Sequence, residues 1–570
     1  MVTAALLFGA TGCVESPRLV SGSRAVVAVV DPFTSLNPWT VAASESSTDA
    51  QIAWLTGTGF GYRGSDGAFV RDPSFGRAEI VARDPLTVRY TISDSARWSD
   101  GTPVGSADLL LSWAARSGVL DADFATVPDP GLALVTQVPQ LAADGRTIFL
   151  HFDEFWGDWE TAIAPTLPAH VVASRALDVP ASDEKERAAA AKDLATAILD
   201  GDADAISSIA TVWIGDFDYS GTALDDDLLV AAGPYRVRLV KPDAVTLVAN
   251  NEYSGDRAPH VQELVVRTAS DAVAAVGLLA TTADVASVDA DADALAAVPR
   301  IGPKFTSTVT SGPRLEQLQL KLTDSRSGAF DDLRIREAFL HVVPRDELIE
   351  ELVAPVVPDA VPLNSFLVPP TSADYAATVE ANGSSRYTDV DVETAKDLLA
   401  DAGLPAPTVC VLYDPADRWR ARAFELIRNS AARAGFQVTD CSTPDWRRAL
   451  GRAAAYDAVL LSWDPTRFGP AFAGAVLRSD SETANLNGFS DPAVDALVDE
   501  LTQTDDPDRR AELLTQLDEA IWDVAAGIPL TAHPVLTVIG PVVEGVSHSA
   551  FGGSVFWDAW EWTAPPVTPR

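Results

Sequence analysis

The chain has 570 residues, too many for a single hydrophobic core, so two or three domains are expected. Hydrophobic residues make up 47%, which places the chain among globular rather than disordered sequences. Its 81 acidic against 42 basic residues, a net charge of −39, argue against nucleic acid and anionic membrane surfaces as partners, because both demand clustered positive charge.

The N-terminal run 4–13, Ala-Ala-Leu-Leu-Phe-Gly-Ala-Thr-Gly-Cys, is too short to span a bilayer. It looks like the end of a lipoprotein signal peptide, with Cys13 as the lipidated residue. Residues 14–23, rich in Ser, Gly and Pro, read as a tether. The other cysteines, Cys410 and Cys441, are candidates for a disulfide that spacing alone leaves open. No Cys-x-x-Cys exists and no two histidines lie four apart, which excludes a zinc ribbon and a zincin helix. No cofactor is expected, and no Gly-x-Ser-x-Gly elbow points to an enzyme.

Residues 24–30 form a continuous apolar run of strand length, expected to be buried. Pro32 and Pro38 end it, and a helix is expected over 44–54. The runs 79–82 and 87–92 predict a hairpin across Asp84-Pro85. Trp98-Ser99-Asp100-Gly101-Thr102-Pro103 then reads as a tight turn, since Gly accepts positive φ and Asp bonds its own backbone. A helix follows, with Asp108 near its first-turn donors. Residues 135–141 are expected to pair with 147–152, with Pro139 confining the first run to an edge. His170 is read as a structural residue at a helix start, and 183–199 as an Ala-rich surface helix.

Strands are expected at 233–239, 245–249 and 261–268, and a helix at 272–280. Leu318, Leu320 and Leu322 alternate, which predicts a strand over 315–322 entering a second lobe. Arg336, in the string 330–339, is read as a buried pair holding a helix to its neighbour. Gly403 and Pro405 stop a helix over 391–403. The order strand 409–413, helix 418–435, strand 436–439 predicts a βαβ unit and a parallel sheet. A strand over 456–463 and a charged amphipathic helix over 506–522 complete this half, and 527–530 is the return to the first lobe.

Four strings carry a family resemblance. They are the Trp98–Pro103 turn, Gly233-Pro234-Tyr235, Asp332-Leu333-Arg334-Ile335-Arg336 with Ala338, and Asn485-Leu486-Asn487-Gly488-Phe489-Ser490-Asp491-Pro492. Together they resemble the family 5 extracytoplasmic solute-binding proteins, the peptide-binding lipoproteins of ABC importers. The resemblance covers about Asn37 to Gly545. It implies an α/β, two-lobed periplasmic-binding-protein fold (type II-like, cluster C) with an extra subdomain on the first lobe. The divisions are 1–23 signal remnant and tether; 24–59, 205–305 and 525–570 lobe I; 60–204 the subdomain; 306–524 lobe II.

Such a protein closes around its ligand, and peptide recognition needs an anion for the amine, a cation for the carboxylate and aromatic walls. In peptide-binding relatives an Asp shortly after a Trp holds the ligand amine, which makes Trp463 and Asp464 the leading candidates, although the Trp-to-Asp spacing here is shorter. Arg467 is the candidate carboxylate partner, and Asn485, Asn487 and Phe489 belong to a loop that lines the cleft in relatives. Glu45 is a second amine candidate, and Trp54 and Trp419 are further candidate wall residues. The Trp98–Pro103 string is expected to be a structural corner without ligand contact. The implied function is capture of a short peptide and its delivery to ABC permease subunits, by a monomer anchored outside the cytoplasm through Cys13. The competing readings are a transport-uncoupled sensing or scavenging lipoprotein, and an importer component for nickel complexes or oligosaccharides.

Overall fold

The structure, a computed structural model, describes residues 19–567 apart from 45, 66–67, 121–122, 127–128, 465–469, 482–484, 548 and 550–553. Cys13, Glu45 and Arg467 lie outside the described residues. Among the described residues no helix is long and apolar enough to cross a membrane.

Two long antiparallel strands, Thr306–Leu320 and Gly527–Ile539, run side by side through the middle of a ten-stranded sheet. Thr306 faces Ile539 at one end of the pair, and Gln319 faces Gly527 at the other. Beside the first end lie Val285–Asp289, Val20–Val29, Val261–Thr268, Ala244–Ala249 and Tyr235–Lys241, in that order. Beside the second lie Ala458–Trp463, Thr408–Leu412 and Gln437–Asp440. Each end thus centres its own lobe, and the register is irregular where the pair passes between them, at Ser311/Leu315 and Glu316/Gln317. The result is a two-lobed α/β fold.

Local chemistry explains the elements. Ala25 to Val29 are buried because the strand lies inside the sheet between two parallel neighbours, so its sequence is continuously apolar. In lobe II, Thr408–Leu412 and Gln437–Asp440 pair in parallel around helix Arg418–Ala432, the expected βαβ unit. A disulfide joins Cys410 to Cys441 there, with Cα atoms 5.6 Å apart.

The chain leaves lobe I after helix Ser47–Thr56 and returns at Gly233, whose N–H donates to the Thr56 carbonyl at 2.7 Å. A Cβ on Gly233 would stand 2.5 Å from the Gly57 carbonyl oxygen, so this close passage requires glycine. Between these points lies a four-stranded antiparallel sheet, ordered Gly76–Arg83, Leu86–Ile92, Thr147–His151, Gln140–Leu141, with helices packed on it. Its apolar cluster runs from Phe60 to Ala232.

The Trp98–Pro103 turn is a joint. Gly101 has φ +85°, and Trp98 N–H donates to the Thr102 carbonyl at 2.8 Å. Asp100 accepts from Thr102 N–H at 3.0 Å and from His170 Nε2 at 2.9 Å, with Arg187 3.3 Å away. Burial pushes its carboxyl up, but His170 and the Thr102 bonds outweigh burial and hold it at about 2. Ser99 N–H donates to the Ala231 carbonyl at 2.8 Å, and Ala231 N–H donates back to Ser99 Oγ at 3.2 Å.

Three expectations shift. The run 135–141 yields only the short edge strand Gln140–Leu141, because Asp129 caps a helical turn at Pro130–Ala133 just before it. The strand expected at 315 begins at Thr306, since the polar residues Thr306–Ser311 have Ile539–Pro534 as ladder partners. Arg336 is held by carbonyl oxygens rather than by an acid: Nε donates to Val524 at 2.9 Å and Nη1 to Phe330 at 2.5 Å.

Candidate ligand-binding site

A cavity of about 610 Å³ lies between helix Ser47–Thr56, the loop before it and the subdomain. Its walls are mostly apolar: Leu36, Ala53, Leu167, Phe217, Leu229 and Ala232, with Trp39, Trp54, Tyr62, Trp98 and Trp156 around them. This size and lining suit a small-molecule site. The loop that carries Trp39 is held from beneath. Asp49, buried in the first turn of the helix, accepts from Thr34 N–H at 2.8 Å and Ser35 N–H at 3.1 Å, and burial pushes its carboxyl up. Asn37 donates to the Trp213 carbonyl at 2.9 Å and accepts from Trp39 N–H at 3.3 Å.

Charge at the cavity is paired. Arg116 bonds Asp129 at 2.6 Å and sets its guanidinium 3.7 Å above the Trp39 ring, a cation–π contact. Asp158 stands 3.7 Å from Arg63 and accepts from Arg510 Nη1 of lobe II at 2.9 Å. The cavity wall therefore reaches the boundary between lobes. Next to it Gly157 N–H donates to the Thr502 carbonyl at 2.7 Å, and Gln503 Nε2 donates to Glu154 at 2.9 Å. A Cβ on Gly157 would stand 2.1 Å from the Thr504 carbonyl oxygen, so lobe II can approach only a glycine here.

A second charged cluster sits where the paired long strands cross from one lobe to the other. Glu316, fully buried, accepts from Arg420 Nε at 2.7 Å and from His533 Nε2 at 2.8 Å. Burial raises its carboxyl, yet His533 and Arg420 prevail and hold it at about 2. Arg420 also donates to Ser462 Oγ at 3.2 Å, and the Trp419 ring lies 6.0 Å from His533.

The residues expected at the site divide into two groups. Trp54 lines the large cavity and donates to the Trp557 carbonyl at 3.3 Å. Trp463 ends its strand opposite Leu315, beside the crossing, with Asp464 next in the chain. Trp463, Asn487 and Phe489 meet around a 30 Å³ space in lobe II, apart from Trp54. Asn485 donates to the carbonyls of Arg478 and Phe489, and Asn487 to that of Ala526, so these amides tie the loop down. Phe489 is buried in the lobe II core.

Sequence reasoning missed Asp49, Gly157, Glu316, Arg420 and His533. Two carried a usable signal: Asp49 stands three residues after an N-capping serine, and Glu316 lies between Leu315 and Leu318 of a strand entering the second lobe. The Trp98–Pro103 string, expected to be free of ligand contact, has Trp98 on the cavity wall.

The profile of bacterial extracellular solute-binding proteins, family 5, matches residues 78–485. An uncharacterised lipoprotein of Mycobacterium tuberculosis is 27% identical, covering 97% of this chain and 96% of its own length. Among solved structures, the periplasmic EDTA-binding protein EppA superposes with TM-score 0.79 at 19% identity, covering 99% of this chain and all of that one. The oligopeptide-binding protein AppA of Bacillus subtilis, in complex with a nonapeptide, gives 0.70 at 13% identity over 96% of this chain and all of its own. The two-lobed fold is that of these periplasmic binding proteins. The chain belongs to the family 5 extracellular solute-binding proteins, a family defined by solute binding rather than catalysis.

Proposed function

We propose that the protein is the extracytoplasmic receptor of an ABC importer, tethered through lipidated Cys13. It captures a short peptide between its lobes and presents the closed form to a permease. The observation that carries this reading is the contact set across the lobe boundary, Gly157 to Thr502 and Asp158 to Arg510, beside the 610 Å³ cavity. Contacts that form only when the lobes meet let ligand binding select the closed form. Trp463 and Asp464, at the strand crossing, are the proposed seat of the peptide amine. Relatives named as lipoproteins support the tether, and a solved neighbour holding a nonapeptide supports the ligand class.

A thermal-shift screen of short peptides, oligosaccharides and nickel chelates tests the ligand. A peptide at one hundred times its Kd adds about 2.7 kcal/mol of stability. Its addition also shrinks the radius of gyration in small-angle scattering, and Gly157→Val weakens both responses. Asp464→Ala abolishes peptide stabilisation if that carboxylate holds the amine. Stabilisation by sugars or chelates alone would overturn the peptide reading.

A further inference from the structure

The lobe I cavity is larger and more apolar than the rest of the proposed site requires. A peptide backbone needs donors and acceptors along its length, yet the deep walls here are Leu, Ala, Phe and Trp side chains. The two arginines that line it are each near an acid, Arg116 with Asp129 and Arg63 with Asp158, so the occupant meets no net charge. Several lining residues are small, among them Ala53 on the helix, Ala164 and Ala232, and they take up little of the space that the aromatic rings frame. Besides the Arg116–Asp129 pair, the lining carries a charged group at the lobe boundary, Asp158, which meets Arg510 of lobe II.

We infer that the solute is amphipathic: an uncharged, bulky apolar end, of the size of a long acyl chain, seats in this cavity, and its polar end lies at the lobe boundary. This deepens the receptor reading above and rests on it. Burial at roughly 25 cal/mol per Å² makes such an end the main source of affinity. Free amino acids and compact hydrophilic chelates would leave the cavity unfilled.

The test titrates N-acetyl-trialanine and N-dodecanoyl-trialanine, which share the blocked amine and differ in chain length, with trialanine alongside, following intrinsic tryptophan fluorescence, since four tryptophans line the cavity. The dodecanoyl probe is expected to bind at least tenfold tighter than the acetyl one. Ala53→Phe and Ala164→Phe, on two separate lining segments, are each expected to reduce that ratio at least tenfold. Melting temperatures establish that the variants fold, and either one suffices. Equal affinities for the two blocked probes, no binding of the dodecanoyl probe, or an unchanged ratio in a folded variant would overturn the inference. Tight binding of trialanine alone would overturn it while leaving the receptor reading intact. Binding of the dodecanoyl probe with no change in radius of gyration would support the cavity and sink the receptor reading.

Discussion

The two lobes carry similar side chains to opposite ends. In lobe II, Trp463 meets Phe472 edge-on with ring centroids 5.4 Å apart, and with Phe366, Leu477 and Phe489 it leaves only about 30 Å³. In lobe I, Trp39, Trp54, Trp98 and Trp156 surround about 610 Å³. The aromatic residues are alike; the residues around them differ. The same cavity is lined by Ala50, Ala53, Ala162, Ala164 and Gly57, which take up little of the space the tryptophans frame. Space in lobe I thus goes with small lining residues, and a fully buried charge cluster sits elsewhere, around Glu316.

This contrast can be broken by substitution. Arg420→Ala is expected to cost about 3–5 kcal/mol, because it strips the guanidinium from a fully buried Glu316; denaturant unfolding reads it. A loss under 1 kcal/mol would mean the crossing is solvated. Leu477→Ala in the filled lobe should cost about 4 kcal/mol and Leu229→Ala, which already faces open space, about 2, within the known range for such truncations. Equal losses would erase the distinction between the lobes.

The crossing also has a pH signature. Glu316 is held at about 2 in the folded protein against 4.5 for the free side chain. Its contribution is fully present above about pH 4.5 and is lost as pH falls toward 2. Asp100, lowered from 3.8 to about 2, acts in the same window. Glu316→Gln should therefore flatten the stability profile between pH 4.5 and 2 without abolishing its slope, as thermal melts across that range would show. An identical profile would place Glu316 outside the linkage. The smallest effect is expected of Ser99→Ala, about 1 kcal/mol for the lost bond from Ala231 N–H. That loss should appear in lobe I melting with the crossing undisturbed.

What the sequence made legible was local. The βαβ unit of lobe II, the hairpin across Asp84-Pro85 and the strand 261–268 follow from periodicity and turn chemistry over a few residues. The crossing cluster was not legible, because Glu316 meets Arg420 across 104 positions and His533 across 217. Nor was the cavity, which is an absence of atoms between separated segments. Asn485 and Asn487 show a subtler limit. Their amides announce hydrogen bonding, but whether they serve a ligand or the loop depends on which carbonyls lie nearby, and here Arg478, Phe489 and Ala526 supply them.

The hydrogen bond between Gly233 and Thr56 brings together the two points where the chain leaves lobe I for the stretch 60–232 and returns from it. Such a stretch can be lengthened, shortened or exchanged between descendants of one ancestor with little disturbance to the ten-stranded sheet. It also supplies one wall of the cavity, from Trp98 to Leu167. Divergence of ligand preference can therefore proceed by rewriting this graft, while the strands that join the lobes stay the same.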